Sequence, residues 1–416
     1  MEPTTCSDWS ALPPDLVEEI ATRLTDLEDF IAFRGVCAAW RVATKDSCPR
    51  VPLLMLPEKR QNDEREFYSL SERKVSMRLS LPEAKGKLCV EAGFGWLLTL
   101  SLDSGDVTLL NPFSRAQIQL PNAVTFTFPE HLDHKEPNLY NFARKAVLSE
   151  NPSKLSADFI LLVIHGTIHA DIGILCFWRP GDTTWTQLES RKGIHWRKLG
   201  YYKGTFRDVN YLNGKFYAIN VLGHIWAWDG DRHRPPTWIW DGYKPPEPKV
   251  HACYKPIDCD RRVNLYGDLY LAKSSSSSFN GSKRGGDLLV IRRKIVHCDH
   301  MPDNWTWNFN IYRLDMTRGG GWEDEITSLG GDAIFVGDNT TISIPYAETK
   351  RSGIKGDCIY FSYTALDHFT EEEISKSRMG IYNINDGSME PILDEVQVTS
   401  DFIECPPLWV NSPIFL

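Results

Sequence analysis

From about position 50 onward the chain repeats one phrase of three short apolar runs five times. The first run reads GWLLTL (95–100), FILLVI (159–164), GKFYAI (214–219), GDLYLA (267–272) and GDCIYF (356–361). The second ends in a turn: DVTLLNP (106–112), GILCFWRP (173–180), HIWAWD (224–229), FNIYRLD (309–315) and GIYNIND (380–386). The third follows that turn as AQIQLP, WTQLE, TWIW, WEDEI and SMEPI. The runs are β-branched and aromatic, and Gly, Pro, Asn, Asp and Ser separate them, as strands and tight turns require. A unit that recurs every ~50 to 80 residues must stack on its own copies to bury both faces. This predicts a large all-β domain, a β-propeller, with the Trp or large apolar residue after each turn packed between blades.

VPLLMLP (51–57), EFYSL (66–70) and KVSMRLSLP (74–82) supply three strands of a sixth blade. Its fourth is expected from FIECPPLWVNSPIFL (402–416), because closure from both ends removes two exposed sheet edges. Six blades is the count, and a seventh fits if an insertion hides one. SSSSSFNGSKRGG (274–286) reads as a mobile polar loop between strands of the fifth blade. Segments 129–138 and 229–236 read as loops, and FTEEEISKSR (369–378) is the one stretch in this part with a helical texture.

The N-terminal part is different. Residues 1–8 read as a disordered tail, 9–46 as a small all-α module, and 47–416 as the β domain. Pro13 and Pro14 suit a first helical turn, where a missing N–H costs nothing. Asp15, Glu18 and Glu19 lie at the positive end of the helix dipole. Leu16, Ile20 and Leu24 form one apolar stripe. After TDLEDF a second helix is expected, with Phe30, Phe33, Val36, Cys37 and Trp40 spaced three and four apart. A unit this small exposes more apolar surface than it can hide, so it is either a cap on the β domain or a docking module.

LPPDLVEEIATRL followed by FIAFRGVCAAWR resembles an F-box. Leu12, Pro13, Leu16, Ile20, Leu24, Phe33, Arg34, Val36, Cys37, Trp40 and Arg41 match that family's pattern in order. The resemblance implies docking to a Skp-type adaptor and, through it, a cullin, as a subunit of an SCF-type ubiquitin ligase. The adaptor-binding residues it implies are Leu12, Pro13, Leu16, Ile20, Leu24, Val36, Cys37 and Trp40. GFGWLLTLSLDSGDVTLLNPFSRAQIQLP and FNIYRLDMTRGGGWEDEITSLGGDAIFVGDN, followed by GIKGDCIYFSYT, resemble plant F-box proteins that carry a kelch-like domain of unknown function. That likeness implies a receptor for an unidentified protein substrate.

Composition narrows the alternatives. A net charge of −9 disfavours a general nucleic-acid binder, which needs Lys and Arg to neutralise phosphates. The start MEPTTCSDWS lacks a basic and an apolar region, so no secretory signal is expected. FILLVI, the longest strongly apolar run, is far shorter than the ~20 residues a bilayer-spanning helix needs. The ten cysteines contain no CxxC pair and several lie in apolar runs, which suits reduced thiols in the cytoplasm or nucleus.

The usual catalytic signatures are missing: no GxSxG, GxGxxG, Walker A or HExxH motif occurs. Cys253, Cys259, His297, Cys298 and His300 fit no standard zinc spacing, so no metal or cofactor is expected. His165 and His169 sit in a strand-and-turn setting, share no helix face, and read as a surface pair. Trp96, Trp178, Trp196, Trp226, Trp238 and Trp305 read mostly as blade core, and any exposed on one face are candidate target contacts. The expected function is a non-catalytic substrate receptor acting by proximity. The alternatives are a protein that sequesters its partner without degradation, or a propeller enzyme with carboxylates at the central channel.

Overall fold

The computed structural model describes residues 9–24, 27–44, 47, 51–58, 63–126, 139, 142–154, 158–166, 173–188, 206–220, 223, 225–230, 269–274, 288–297, 305–315, 321–337, 339–362, 379–392 and 407–411. Within them lie 24 strands, numbered here in chain order, in six sheets. Each sheet is one blade of a six-bladed β-propeller.

Blade 1 holds β1 (Leu53–Met55), β2 (Glu64–Ser69) and β3 (Lys74–Ser80), with β24 (Leu408–Val410) paired to β1. Blade 2 holds β4 (Lys87–Gly93), β5 (Trp96–Ser101), β6 (Val107–Leu110) and β7 (Gln117–Gln119). Blade 3 holds β8 (Lys145–Leu148), β9 (Leu161–His165), β10 (Ile174–Trp178) and β11 (Thr186–Gln187). Blade 4 shows β12 (Phe206–Leu212), β13 (Lys215–Asn220) and β14 (Ile225–Trp228); the expected strand TWIW lies outside the described residues. Blade 5 holds β15 (Leu269–Lys273), β16 (Leu288–His297), β17 (Trp305–Asp315) and β18 (Gly321–Ile326). Blade 6 holds β19 (Ala333–Gly337), β20 (Thr341–Ile344), β21 (Cys358–Ser362), β22 (Met379–Asn383) and β23 (Met389–Pro391).

The inner strands touch in sequence round the ring: β24 with β4, then β8, β12, β15 and β20, and β19 with β24 again. Closure follows the expected route. Leu53 faces Val410, and Met55 faces Leu408, in an antiparallel pair. The hairpins close as their sequences require. Asn213 and Gly214 both take positive φ between β12 and β13, the two-residue turn for which Asn-Gly is suited. After β6, the Asn111 side chain accepts from the backbone N–H groups of Phe113 and Ser114.

Six hydrophobic clusters fill the spaces between blades, one to each interface. Period-two alternation explains this. On β9, Leu161 and Val163 face blade 2, whereas Leu162 and Ile164 face blade 4. Both faces are buried, so the strand reads as one apolar run. Trp185 packs between blades 2 and 3, as its place after the turn predicts, and its indole donates to the Pro121 carbonyl at 2.9 Å. Trp96 and Trp178 are also blade core.

Four expectations need correction. GDLYLA is not the counterpart of GWLLTL: it forms β15, the inner strand of blade 5, and its neighbour is β16, from DLLVIRRKIVH. Blade 6 has five strands, because β19 and β20 form a hairpin and β21 then pairs parallel to β19. A parallel neighbour needs a crossover, and a helix over Tyr346–Ser352 supplies it. That helix was not expected. It starts after Pro345, carries Lys350 and Arg351 in its last turn, and stops at Gly353 in the left-handed region. The third correction is His165, which is buried, its Nδ1 2.7 Å from the Phe142 carbonyl oxygen and its ring against Phe126 and Phe142. It is not a surface residue, and His169 lies outside the described residues.

The fourth concerns the N-terminal helices, which are three rather than two: α1 (Pro14–Arg23), α2 (Leu27–Gly35) and α3 (Ala38–Ala43). The expected second helix breaks at Val36 and Cys37. Cys37 is extended and caps α3, its sulfur accepting from the Trp40 N–H. Ala21 and Phe30 join the cluster of Leu53, Phe67, Leu97 and Val410, so the helices rest on blades 1 and 2. Of the expected loop 274–286, residues 275–286 lie outside the described residues, as does the expected helix 369–378.

Candidate functional site

The helical module divides its apolar side chains between two directions. Val17 and Ala21 are buried, whereas Leu16 and Ile20, one position earlier in each turn, are 44% and 40% exposed. Val36 is 58% exposed, and Trp9 and Val42 are 65% and 75% exposed. Five of the eight exposed large hydrophobic residues among those described therefore lie on this short segment. Of the predicted adaptor-binding residues, Pro13, Leu16, Ile20 and Val36 are exposed, and Leu12, Leu24 and Cys37 are half-buried.

Trp40 is buried. Its ring lies 4.4 Å from that of Phe33, and its indole N–H donates to the Trp9 carbonyl at 3.1 Å. It therefore ties the turn at Trp9–Ala11 to α3 and supports the exposed face from behind. α1 itself is held by Pro14 in its first turn and by an exposed Arg23–Glu19 pair at 2.6 Å, which adds little stability. Sequence spacing pointed to Leu16 and Ile20 but missed Trp9 and Val42, which stand outside the apolar periodicity.

A second constellation lies where the inner strands converge, and no motif announced it. Asp208 on β12 pairs with Lys145 on β8; both are almost fully buried. The Asp208 carboxylate also accepts from the Leu271 N–H at 2.7 Å and the Thr341 hydroxyl at 2.9 Å. Lys145 donates to Thr341 at 2.9 Å and sits 5.4 Å from the Tyr270 ring centroid. Blades 3, 4, 5 and 6 meet through these contacts.

Glu91 on β4 makes the matching contacts on the other side. It accepts from the Asn411 side-chain amide at 2.8 Å and from the Thr340 hydroxyl at 3.0 Å, joining blade 2 to blades 1 and 6. Burial pushes its carboxyl up to about 7, against the opposing pull of these donors. Burial likewise lowers His165 to about 4 and raises Cys358 to about 11. The axial acids are thus engaged with blade-to-blade partners and shielded from water. Their observed work is to join blades.

Among the described residues no group of three or more His, Cys, Asp or Glu side chains is placed to hold a metal ion. Cys253, Cys259, Cys298 and His300 lie outside those residues. No helix among them is long and apolar enough to cross a membrane. Trp196 and Trp238 also lie outside the described residues, and Trp226 is half-buried.

Comparison with known proteins agrees with this architecture. The chain is 23% identical over 437 residues to the F-box protein SKIP23 of Arabidopsis thaliana, covering 97% of this chain and 96% of that one. It is 25% identical over 361 residues to the F-box/kelch-repeat protein At1g57790 of the same plant, covering 85% and 82%. The F-box protein At2g17036, also from Arabidopsis thaliana, is 21% identical over 435 residues, covering 97% and 95%. Residues 67–383, from β2 in blade 1 to β22 in blade 6, match a single family, and the chain belongs to the KIB1-4 beta-propeller family.

Proposed function

We propose that this chain is the substrate-recognition subunit of an SCF-type E3 ubiquitin ligase. Residues 9–46 act as the F-box and dock a Skp-type adaptor, which in turn joins a cullin. The propeller, residues 47–416, presents a face to a protein target. The observation that carries this reading is the exposed set Leu16 and Ile20 on α1 and Val36 in the break between α2 and α3, on a module whose opposite side is anchored to blades 1 and 2. The relatives' names, F-box proteins from a plant, support the same role. Each side chain of this kind contributes roughly 1.5–3 kcal/mol when fully buried by a partner. The chain's part in ubiquitin transfer is then to hold the target near a charged enzyme, a proximity effect that needs no nucleophile, acid or base of its own.

The test is co-purification with a Skp-type adaptor, wild type beside a Leu16→Asp, Ile20→Asp variant. Both side chains already face solvent, so the variant is expected to fold with an unchanged circular dichroism spectrum and to lose the adaptor. Adaptor binding retained by the folded variant would overturn the assignment.

A further inference from the structure

We propose that the long β16–β17 hairpin of blade 5 is the target-docking ribbon of the propeller, and that the face carrying Trp305 and Trp307 takes an extended, acidic segment of a partner protein. This role rests on the chain being a receptor. β16 and β17 are ten and eleven residues long, against five for β15. β15 pairs with Leu288–Arg292, and β18 pairs with β17 only from Ile311 to Asp315. Residues 293–297 and 305–309 therefore continue past both neighbours as a two-stranded ribbon. Five residues of antiparallel strand reach about 17 Å. Among the described residues no third strand pairs with this extension. A lone two-stranded ribbon is marginal in water without a surface to pack on. Asn308 marks the step outward: it is exposed, whereas Phe309 and Asn310 are buried. In the ring order, blade 5 stands opposite blade 2, where the N-terminal helices rest.

The register divides the ribbon into two unlike faces. Ile291 is the partner of Ile311, Arg293 of Phe309, Ile295 of Trp307, and His297 of Trp305. Opposite residues of an antiparallel ladder share a face, and period two puts all four pairs on the same one. Ile291, Phe309 and Ile311 belong to the core between blades 5 and 6. Past that core the same row continues with Ile295, Trp307, His297 and Trp305, the composition of an interface centre rather than a rim. The other face pairs Arg292 with Asn310, Lys294 with Asn308 and Val296 with Thr306, and is mostly polar.

Charge selects the occupant. Residues 294–297 and 305–308 contain Lys294 and His297 and no Asp or Glu, and Arg292 and Arg293 stand at the ribbon's foot. The acids of the neighbouring strand, Glu323, Asp324 and Glu325, lie on β18, beside the other end of β17. A chain of net charge −9 thus gathers cationic residues and tryptophans on one projecting element. A second copy of the chain would bring two such ribbons of like charge together. An extended segment that alternates large apolar residues with Asp or Glu complements both the apolar row and the charge.

Selection of a displayed random peptide library on the full-length chain tests this. The enriched peptides should alternate large apolar residues with Asp or Glu. Their affinity should fall about tenfold or more in Trp305→Ser, Trp307→Ser, and selection on Lys294→Glu, His297→Glu should turn toward Lys- and Arg-bearing peptides. Both variants should still co-purify with a Skp-type adaptor. No enrichment, enriched peptides without acidic residues, an affinity unchanged in the tryptophan variant, or tighter binding of a thymidine oligonucleotide than of any peptide would each overturn the proposal. Should the tryptophan variant fail to fold, hydroxyl-radical footprinting of the wild type supplies the second readout. Trp305 and Trp307 should oxidise in the free chain and be protected by a selected peptide; protection already present in the free chain would assign them to the core and refute the ribbon's role. Failure of the wild type to hold the adaptor would fall on the receptor reading alone, because the peptide selection is read without it.

Discussion

Gly173 shows how closely the blades approach at the scale of one residue. A Cβ there would stand 2.2 Å from the Phe206 carbonyl oxygen, at the join between blades 3 and 4, where the Phe206 N–H donates to the Gly173 carbonyl. The nearest atoms are backbone and cannot swing away. Gly173→Ala is therefore expected to cost about 1–3 kcal/mol by overpacking, read as a lower midpoint in urea unfolding. Gly181, eight positions on in the same blade, has open space around its Cβ direction but a positive φ of 96°, so its cost is conformational. The sequence shows two glycines in turn-like settings and gives no sign of this difference. Only the approach of another blade makes one of them a packing position.

At the scale of the element, α1 illustrates both what a pattern carries and what it omits. Leu16 and Ile20 are four apart, and so are Val17 and Ala21. The spacing declares a helix but cannot choose which stripe meets the propeller, because that depends on blades 1 and 2. The same ambiguity misplaced GDLYLA. First and second strands of a blade are both buried on two faces, so both read as continuous apolar runs without a strand-specific signature. The helix after β20, in contrast, carried ordinary start and stop signals, and its seven residues escaped notice because its apolar content is low. The closing strand was legible because it is the partner that an otherwise open sheet edge demands. Within it, Trp409 is fully buried and joins blade 1 to the core shared with blade 6. Trp409→Ala is expected to cost about 3–5 kcal/mol, and exchange protection in β1 should fall further than in β9.

Across the whole molecule, two buried titratable groups pull the stability profile in opposite directions. His165 is lowered to about 4 from 6.5 by burial, so its neutral form stabilises the fold above 6.5 and that contribution is lost as pH falls through 4. Glu91 acts in the reverse sense, losing its contribution as pH rises through about 7. Thermal unfolding scans should show His165→Gln flattening the acid limb and Glu91→Gln flattening the limb toward neutral pH. The polar axis that contains Glu91 was invisible in the sequence, since Glu91, Lys145, Asp208 and Asn411 come from four distant strands or their ends and form no motif. Closure by β24 has a consequence for how the protein is made. Glu91 and Asn411 are 320 positions apart, so a ribosome completes five blades before the strand that locks the first has been translated. Until then the edge of β1 that β24 covers is unpaired, a template for pairing with another chain. A chain that stops just before residue 408 would keep the strands of five blades and leave the ring open at β1.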